Sequence, residues 1–366
     1  MSDISSHLHG GDVYSLSELL KIPERKIIDF SSSPNPLGVS KKVKAEIRKY
    51  LKFLNNYPDT ECRRLTKVLA GRYSVSTENI ICGNGSTELI YLIVRALKPQ
   101  KALIVSPTFS EYERALSMYG VSDISFFSLN ETDNFKLDVQ AFMEMMKGND
   151  IAFLCNPNTP TAGFISKEDM LKIAAAAHEF GCYLIVDEAF MDFLYTHSKN
   201  PDGFSMIDGV LKNPHLIVLK SFTKFYALCG LRIGAVFLDE RLTSLLKTHK
   251  EPWTVNTLSQ RALVTALKDN VYERDTFALL KTEKAFFEKS LNKLEIQYFQ
   301  SQVNFYLIKD KRALHIYEKL KNRSILLRSC ANYRGLNEQF LRVSVKTHRE
   351  NSVLFKTVSN ILSHID

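Results

Sequence analysis

A lysine acts as a nucleophile toward an aldehyde only when its surroundings lower its affinity for a proton, and enclosure at the end of a buried strand does so. The stretch Val218-Leu219-Lys220-Ser221-Phe222-Thr223-Lys224-Phe225-Tyr226-Ala227 leaves an apolar strand with Lys224 just past its end, and Arg232 follows eight residues on. Ser221 and Arg232 are suited to neutralise a phosphate carried by the same aldehyde. A second candidate, Gly83-Asn84-Gly85-Ser86-Thr87-Glu88, follows a strand and opens a helix. Its backbone N–H groups and the Ser86 and Thr87 hydroxyls can hold a phosphate, although taken alone it also reads as a tight connection. It is neither Gly-x-Gly-x-x-Gly nor a Walker loop. Two further loops carry unusual chemistry: Asn156-Pro157-Asn158-Thr159-Pro160, and Asp187-Glu188-Ala189-Phe190, where Asp187 ends the apolar run Tyr183 to Val186. A carboxylate there is costly without a partner.

These loops need a scaffold, and the apolar periodicity supplies one. Short strands are expected at Ile80-Cys82, Ala102-Ser106, Ile124-Leu129, Ile151-Cys155, Tyr183-Asp187, Leu216-Ser221 and Ile233-Leu238, with helices such as Thr87-Leu97 and Lys167-Phe180 between them. That alternation predicts an α/β fold, a mostly parallel seven-stranded sheet with helices on both faces. Ligands of such sheets bind beyond the carboxyl ends of the strands, where all four loops fall. From Ser259 to Leu294 the chain reads as mainly helical, and Phe305-Ile308, Ile325-Arg328 and Leu341-Val345 read as strands of a smaller α/β domain. The expected division is an N-terminal segment 1–50 that adds to the small domain and covers the active site, a large domain 51–258, and a small C-terminal domain 259–366, with one helix running between the two domains.

Composition narrows the class. The chain has 366 residues, 45% hydrophobic and 24% charged, enough for a sizeable core. With 15 Gly and 11 Pro it is neither collagen-like nor largely disordered. No apolar run approaches the roughly 20 residues of a membrane span, and the first residues lack a secretory signal, so a cytoplasmic protein without membrane association is expected. Six scattered cysteines lack metal spacing and read as reduced thiols, so no metal is expected. The net charge of +8 fits an anionic substrate, nucleic acid or simple solubility. The basic stretch Lys41 to Lys52 places Val43, Ile47, Tyr50, Leu51 and Leu54 at helical spacing, which makes its charges a solvated helix face. No nucleic-acid motif accompanies them, so no nucleic-acid partner is expected.

Taken together, these residues resemble the pyridoxal-phosphate enzymes of the aspartate-aminotransferase fold, fold type I, in which Ser-x-x-Lys with an Arg eight residues on anchors the cofactor. Within that family, His9-Gly10-Gly11, Asn35-Pro36-Leu37-Gly38, Tyr57-Pro58-Asp59, Pro107-Thr108-Phe109-Ser110-Glu111-Tyr112 and Ser329-Cys330-Ala331-Asn332-Tyr333 look like the threonine-phosphate decarboxylase subgroup of cobamide biosynthesis. The resemblance implies pyridoxal 5′-phosphate and a homodimer with shared active sites. It makes Lys224 the Schiff-base residue and reprotonating acid, with Asp187 facing the ring nitrogen. It gives cofactor contacts to Gly85, Ser86, Thr87, Phe109, Asn158, Thr159, Ser221, Thr223 and Arg232, and to Tyr57 across the subunit boundary. Arg342 would grip the substrate α-carboxylate. Arg328 and His9, with Gly10, Gly11, Asn35, Leu37 and Gly38, would complete a site for a small phosphorylated amino acid.

The sequence departs from the family in two places. The usual Asn-Pro-Thr-Gly is here Thr159-Pro160-Thr161-Ala162-Gly163, so either the Thr159 hydroxyl or the Asn158 amide meets the cofactor's phenolic oxygen. Phe190 stands where many relatives have a Tyr that donates to that oxygen. The expected reaction is decarboxylation of O-phospho-L-threonine to (R)-1-aminopropan-2-yl phosphate, with O-phospho-L-serine a close variant. The alternative is transamination of histidinol phosphate.

Overall fold

The structure is a computed structural model that describes residues 9–194 and 201–364. Seven strands form one sheet in the spatial order Ile80–Gly83, Gly234–Phe237, Leu216–Ser221, Tyr183–Asp187, Ile151–Cys155, Lys101–Ser106, Asp123–Ser128. All neighbours run parallel except Gly234–Phe237, which is antiparallel to both strands beside it. The central strands are buried along nearly their whole length and mostly apolar because both faces are covered. Leu154, Val186 and Val218 feed one core, while Phe153, Ile185 and Leu219 feed the other. The seven expected strands are all present, with ends displaced by a residue or so.

A second sheet is antiparallel, in the order Arg328–Ser329, Phe340–Ser344, Phe305–Lys309, Gln297–Tyr298. The single strand expected at Ile325-Arg328 is two pieces. Ile325–Leu326 pairs in parallel with Ile28–Asp29, whereas Arg328–Ser329 pairs with Phe340–Ser344, so the chain changes partners at Leu327. That parallel pair ties the N-terminal segment to the C-terminal region. The helical stretch expected from Ser259 to Leu294 is likewise two helices, Thr257–Ala266 and Asn270–Lys293. The longer one joins the two sheets. Near its start the Tyr272 hydroxyl donates to the carbonyls of Phe225 and Gly38; further along, Phe287 packs on Tyr306 and Phe355.

The basic helix spans Lys41–Tyr50, capped by Ser40 and buried through Val43. Among the described residues, no helix is long and apolar enough to cross a membrane.

Candidate active site

Strand Leu216–Ser221 runs into the short helix Phe222–Phe225, which carries Lys224. The Lys224 Nζ donates to Thr223 Oγ1 at 3.0 Å and stands 6.0 Å from the centre of the Phe190 ring. Thr223 Oγ1 in turn lies 2.8 Å from Ser221 Oγ. Burial lowers the amine's affinity for a proton; Cys229 and Asp187 oppose that shift, and Arg232 and Arg342 add to it. The backbone around Lys224 is braced by Asn35, whose N–H donates to the Lys224 carbonyl at 2.8 Å. The Asn35 amide donates to Phe225 O and Thr276 Oγ1, and its oxygen accepts from Leu37 N. Asn35 therefore sits beside Lys224, but its side chain is bonded to protein.

Strand Tyr183–Asp187 ends in Asp187, only 4% exposed. Its Oδ2 accepts the Tyr112 hydroxyl at 2.7 Å and its Oδ1 the Ala189 N–H at 2.9 Å. Burial pushes this carboxyl above the usual range, against the pull of those two donors and of Lys224. Phe109 lies edge-on to Tyr112 and beside His9.

Gly85 opens helix Ser86–Leu97 with φ +83° and offers no side-chain cap, so the first N–H groups of the helix lack a side-chain acceptor. A Cβ at Gly85 would collide with the Arg232 guanidinium, which lies against this turn. Ser86 is buried and Thr87 half-buried at the same helix start. The arrangement is a turn of backbone donors with a cation laid across it.

Arg342 and Arg328 face each other across adjacent antiparallel strands. Arg342 Nη1 donates to Thr159 Oγ1 at 2.7 Å and Nη2 to Ser31 O at 2.6 Å, while its Nε is buried without a partner. Arg328 donates to Ser329 O and Asn332 Oδ1 and lies over the Tyr333 ring. A cleft of about 1190 Å³ opens beside Phe109, Arg328 and Asn332 and is lined further by Arg114 and Arg334.

In the loop before Pro160, the Asn158 amide donates to Pro107 O and Thr161 Oγ1, and its oxygen accepts from Thr108. Those bonds hold Asn158 inside the loop. Thr159 is the residue whose hydroxyl meets Arg342.

At the N-terminal side, His9 Nε2 is 2.8 Å from Glu111 Oε1, and the Tyr91 hydroxyl donates to Glu111 Oε2 at 2.7 Å. Burial would raise the Glu111 carboxyl, but the bonds from His9 and Tyr91 and the nearby charges of His9 and Arg114 bring it down to about 2. Gly10 packs so closely on the Ser31 carbonyl that no Cβ fits, and the Gly11 N–H donates to Ser31 Oγ. Gly38 is left-handed at φ +68° beside the exposed Leu37. Tyr57, by contrast, is 82% exposed, with its ring 5.2 Å from that of Trp253.

Contacts thus link Lys224 through Phe190 and Phe305 to Arg342 and Thr159, and His9 through Phe109 and Tyr112 to Asp187. Sequence reasoning missed Tyr112, Glu111 and Ser31, which hold the named residues in place. A tyrosine three residues past Phe109 in a buried helix was the available signal, since a buried phenol needs an acceptor.

Comparison with known proteins identifies the family. The family model described as aminotransferase class I and II matches residues 25–358. The threonine-phosphate decarboxylase of Salmonella typhimurium is 35% identical, over 98% of this chain and 97% of its own. A histidinol-phosphate aminotransferase of Carboxydothermus hydrogenoformans is 31% identical over 91% of this chain and 90% of its own. The crystal structure of the histidinol-phosphate aminotransferase from Clostridium acetobutylicum superposes with a TM-score of 0.85 at 28% identity, covering 92% of this chain and 99% of that one.

Proposed function

The chain belongs to the aminotransferase class I and II family, whose cofactor is pyridoxal phosphate, and from that premise we propose that it decarboxylates O-phospho-L-threonine to (R)-1-aminopropan-2-yl phosphate for the linker of a cobamide. The observation that carries this reading is the likeness to the Salmonella decarboxylase over nearly the whole of both chains.

The residues present fit the cofactor. The uncapped helix start at Gly85, Ser86 and Thr87, with Ser221, Thr223 and Arg232, would hold its phosphate. Asp187 would hold the ring nitrogen, Phe109 a face of the ring, and Lys224 the aldehyde carbon. Thr159 rather than Asn158 suits the phenolic oxygen, because the Asn158 amide is committed within its loop. The Thr159 oxygen accepts from Arg342, which leaves its hydrogen to donate. Phe190 offers no donor there. When bound, the cofactor supplies an electron sink for the pair left on Cα as the bond to the carboxylate breaks.

The protein's own contribution is orientation and proton delivery. Arg342 grips the α-carboxylate through two parallel N–H bonds, which fixes which bond at Cα can break. The C–C bond breaks, carbon dioxide leaves, its electron pair stays with Cα, and Lys224 Nζ delivers one proton there. Arg328 and His9, with Gly10, would bind the substrate phosphate, whereas the Gly11 N–H is bonded to Ser31 Oγ. Tyr57, exposed beside Trp253, suits a second copy of the chain to which it lends its hydroxyl. O-phospho-L-serine differs by one methyl, worth roughly 1–3 kcal/mol in a fitted pocket.

The likeness to histidinol-phosphate aminotransferases favours a second reading, transamination of a phosphorylated amine. A product assay separates them. Incubation with O-phosphothreonine is expected to release carbon dioxide without consuming 2-oxoglutarate. Turnover of histidinol phosphate that requires the oxo acid and releases no carbon dioxide would overturn the proposal.

A further inference from the structure

Tyr112 has no part in the steps above, yet it is fully buried and directs its hydroxyl at Asp187. Its ring is stacked on Phe153 at 5.0 Å and meets Phe109 edge-on at 5.7 Å, so the phenol has little freedom to turn elsewhere. Cys155 sits opposite Asp187 in the strand register, and its thiol donates to Pro157 O at 3.2 Å. The Ala189 N–H occupies Oδ1 at 2.9 Å. With those two donors committed, Tyr112 is the side chain among the described residues that donates to Oδ2.

We propose that Tyr112 is a positioning residue for Asp187, one whose hydrogen bond keeps that carboxylate charged and aimed at the ring nitrogen of pyridoxal phosphate. The proposal rests on the reading of Asp187 as the partner of that nitrogen. Its physical basis is a contest. A carboxylate taken out of water favours its neutral form, and a neutral acid cannot hold a proton on a pyridine nitrogen. A donor that bonds only to the ionised oxygen shifts the balance back and fixes the oxygen in space. Tyrosine does this with a rigid arm whose two ring contacts remain when the hydroxyl is removed, so Tyr112→Phe deletes the bond and little else.

The test compares two cofactors. The apoprotein is titrated with pyridoxal phosphate and with an analogue that has carbon in place of the ring nitrogen, using the parent, Tyr112→Phe and Asp187→Asn. A hydrogen bond to a charged group corresponds to about a tenfold change in affinity. Tyr112→Phe is expected to weaken pyridoxal phosphate by about that factor, leave the carbon analogue unchanged, and lower kcat more than it raises KM. Equal weakening of both ligands would reduce Tyr112 to a packing role and overturn the proposal, as would unchanged affinity for both. Asp187→Asn distinguishes the two levels of the argument. If it too fails to discriminate between the ligands, the reading of Asp187 itself falls; if it discriminates and Tyr112→Phe does not, only the positioning role falls.

Discussion

Lys220 and Lys224 lie four residues apart on one strand-to-helix connection, both enclosed by protein, and their surroundings drive them in opposite directions. Lys220 points into the core at 1% exposure, 2.8 Å from Asp192 Oδ1 and 3.6 Å from Glu188 Oε2, with its ammonium over the Tyr73 ring. Burial alone would strip its proton, but Asp192, Tyr73 and Glu188 outweigh burial and hold the ammonium charged. Lys224 faces the site, where burial is reinforced by Arg232 and Arg342 and opposed by Cys229 and Asp187, and its affinity for a proton falls. Desolvation acts on both. At Lys220 the neighbouring anionic groups outweigh it, whereas at Lys224 the neighbours are mixed in sign and leave burial to decide, so one lysine is a structural cation and the other a nucleophile.

The largest expected effect separates the two outright. Lys224→Ala should reduce turnover by about 10³-fold or more while leaving the thermal midpoint near that of the parent. Lys220→Met should do the reverse. It leaves two buried carboxylates uncompensated and should cost about 3–5 kcal/mol in urea unfolding, with the bound cofactor's absorbance retained. Matching losses of activity and stability in both variants would break the contrast. Next in size is Arg342→Lys, which keeps a charge beside Lys224 but loses the planar two-point grip. KM for the phosphoamino acid should rise roughly ten- to hundredfold, with kcat less affected.

Reactivity sharpens the contrast further. The neutral fraction of an amine grows as pH rises toward its pKa, so the lowered Lys224 in apoprotein should react with an amine-selective reagent at a pH below that needed for exposed lysines. Lys220, its proton held, should stay unlabelled until the chain unfolds; peptide mass mapping across a pH series reads both. The smallest effect concerns the N-terminal segment, where His9 meets Glu111. The Glu111 carboxyl is depressed from 4.5 to about 2, so its contribution to stability is complete above the ordinary value and is lost as pH falls toward about 2. Glu111→Gln should flatten that stretch of the acid-unfolding curve and leave the neutral region with a small, constant offset.

The strand that ends just before Lys224, at Ser221, was legible in the sequence because an apolar run with a polar break has one economical reading, a buried strand meeting a loop. The same logic located Asp187 and the turn at Gly85. Periodicity could not report that Gly234–Phe237 runs antiparallel, since apolar alternation carries no direction. Nor could it foresee that Ile325–Ser329 divides between two partners, because pairing is decided by remote chain. Long-range polar contacts were equally silent. Tyr112 and Asp187 are 75 residues apart, and the carboxylates that hold Lys220 charged lie on a different loop. Asn158 and Thr159 are adjacent and both polar, and only the loop's internal bonds separate their parts. Tyr57 read as a partner-facing residue from resemblance, and its exposed ring is compatible with that expectation.

The most direct test of the account is borohydride reduction of purified protein loaded with pyridoxal phosphate, followed by peptide mass mapping. The account predicts one stable cofactor adduct on Lys224, with Lys220 unmodified. An adduct on Lys220 or any other lysine, or a reduced protein with no adduct at all, would contradict it.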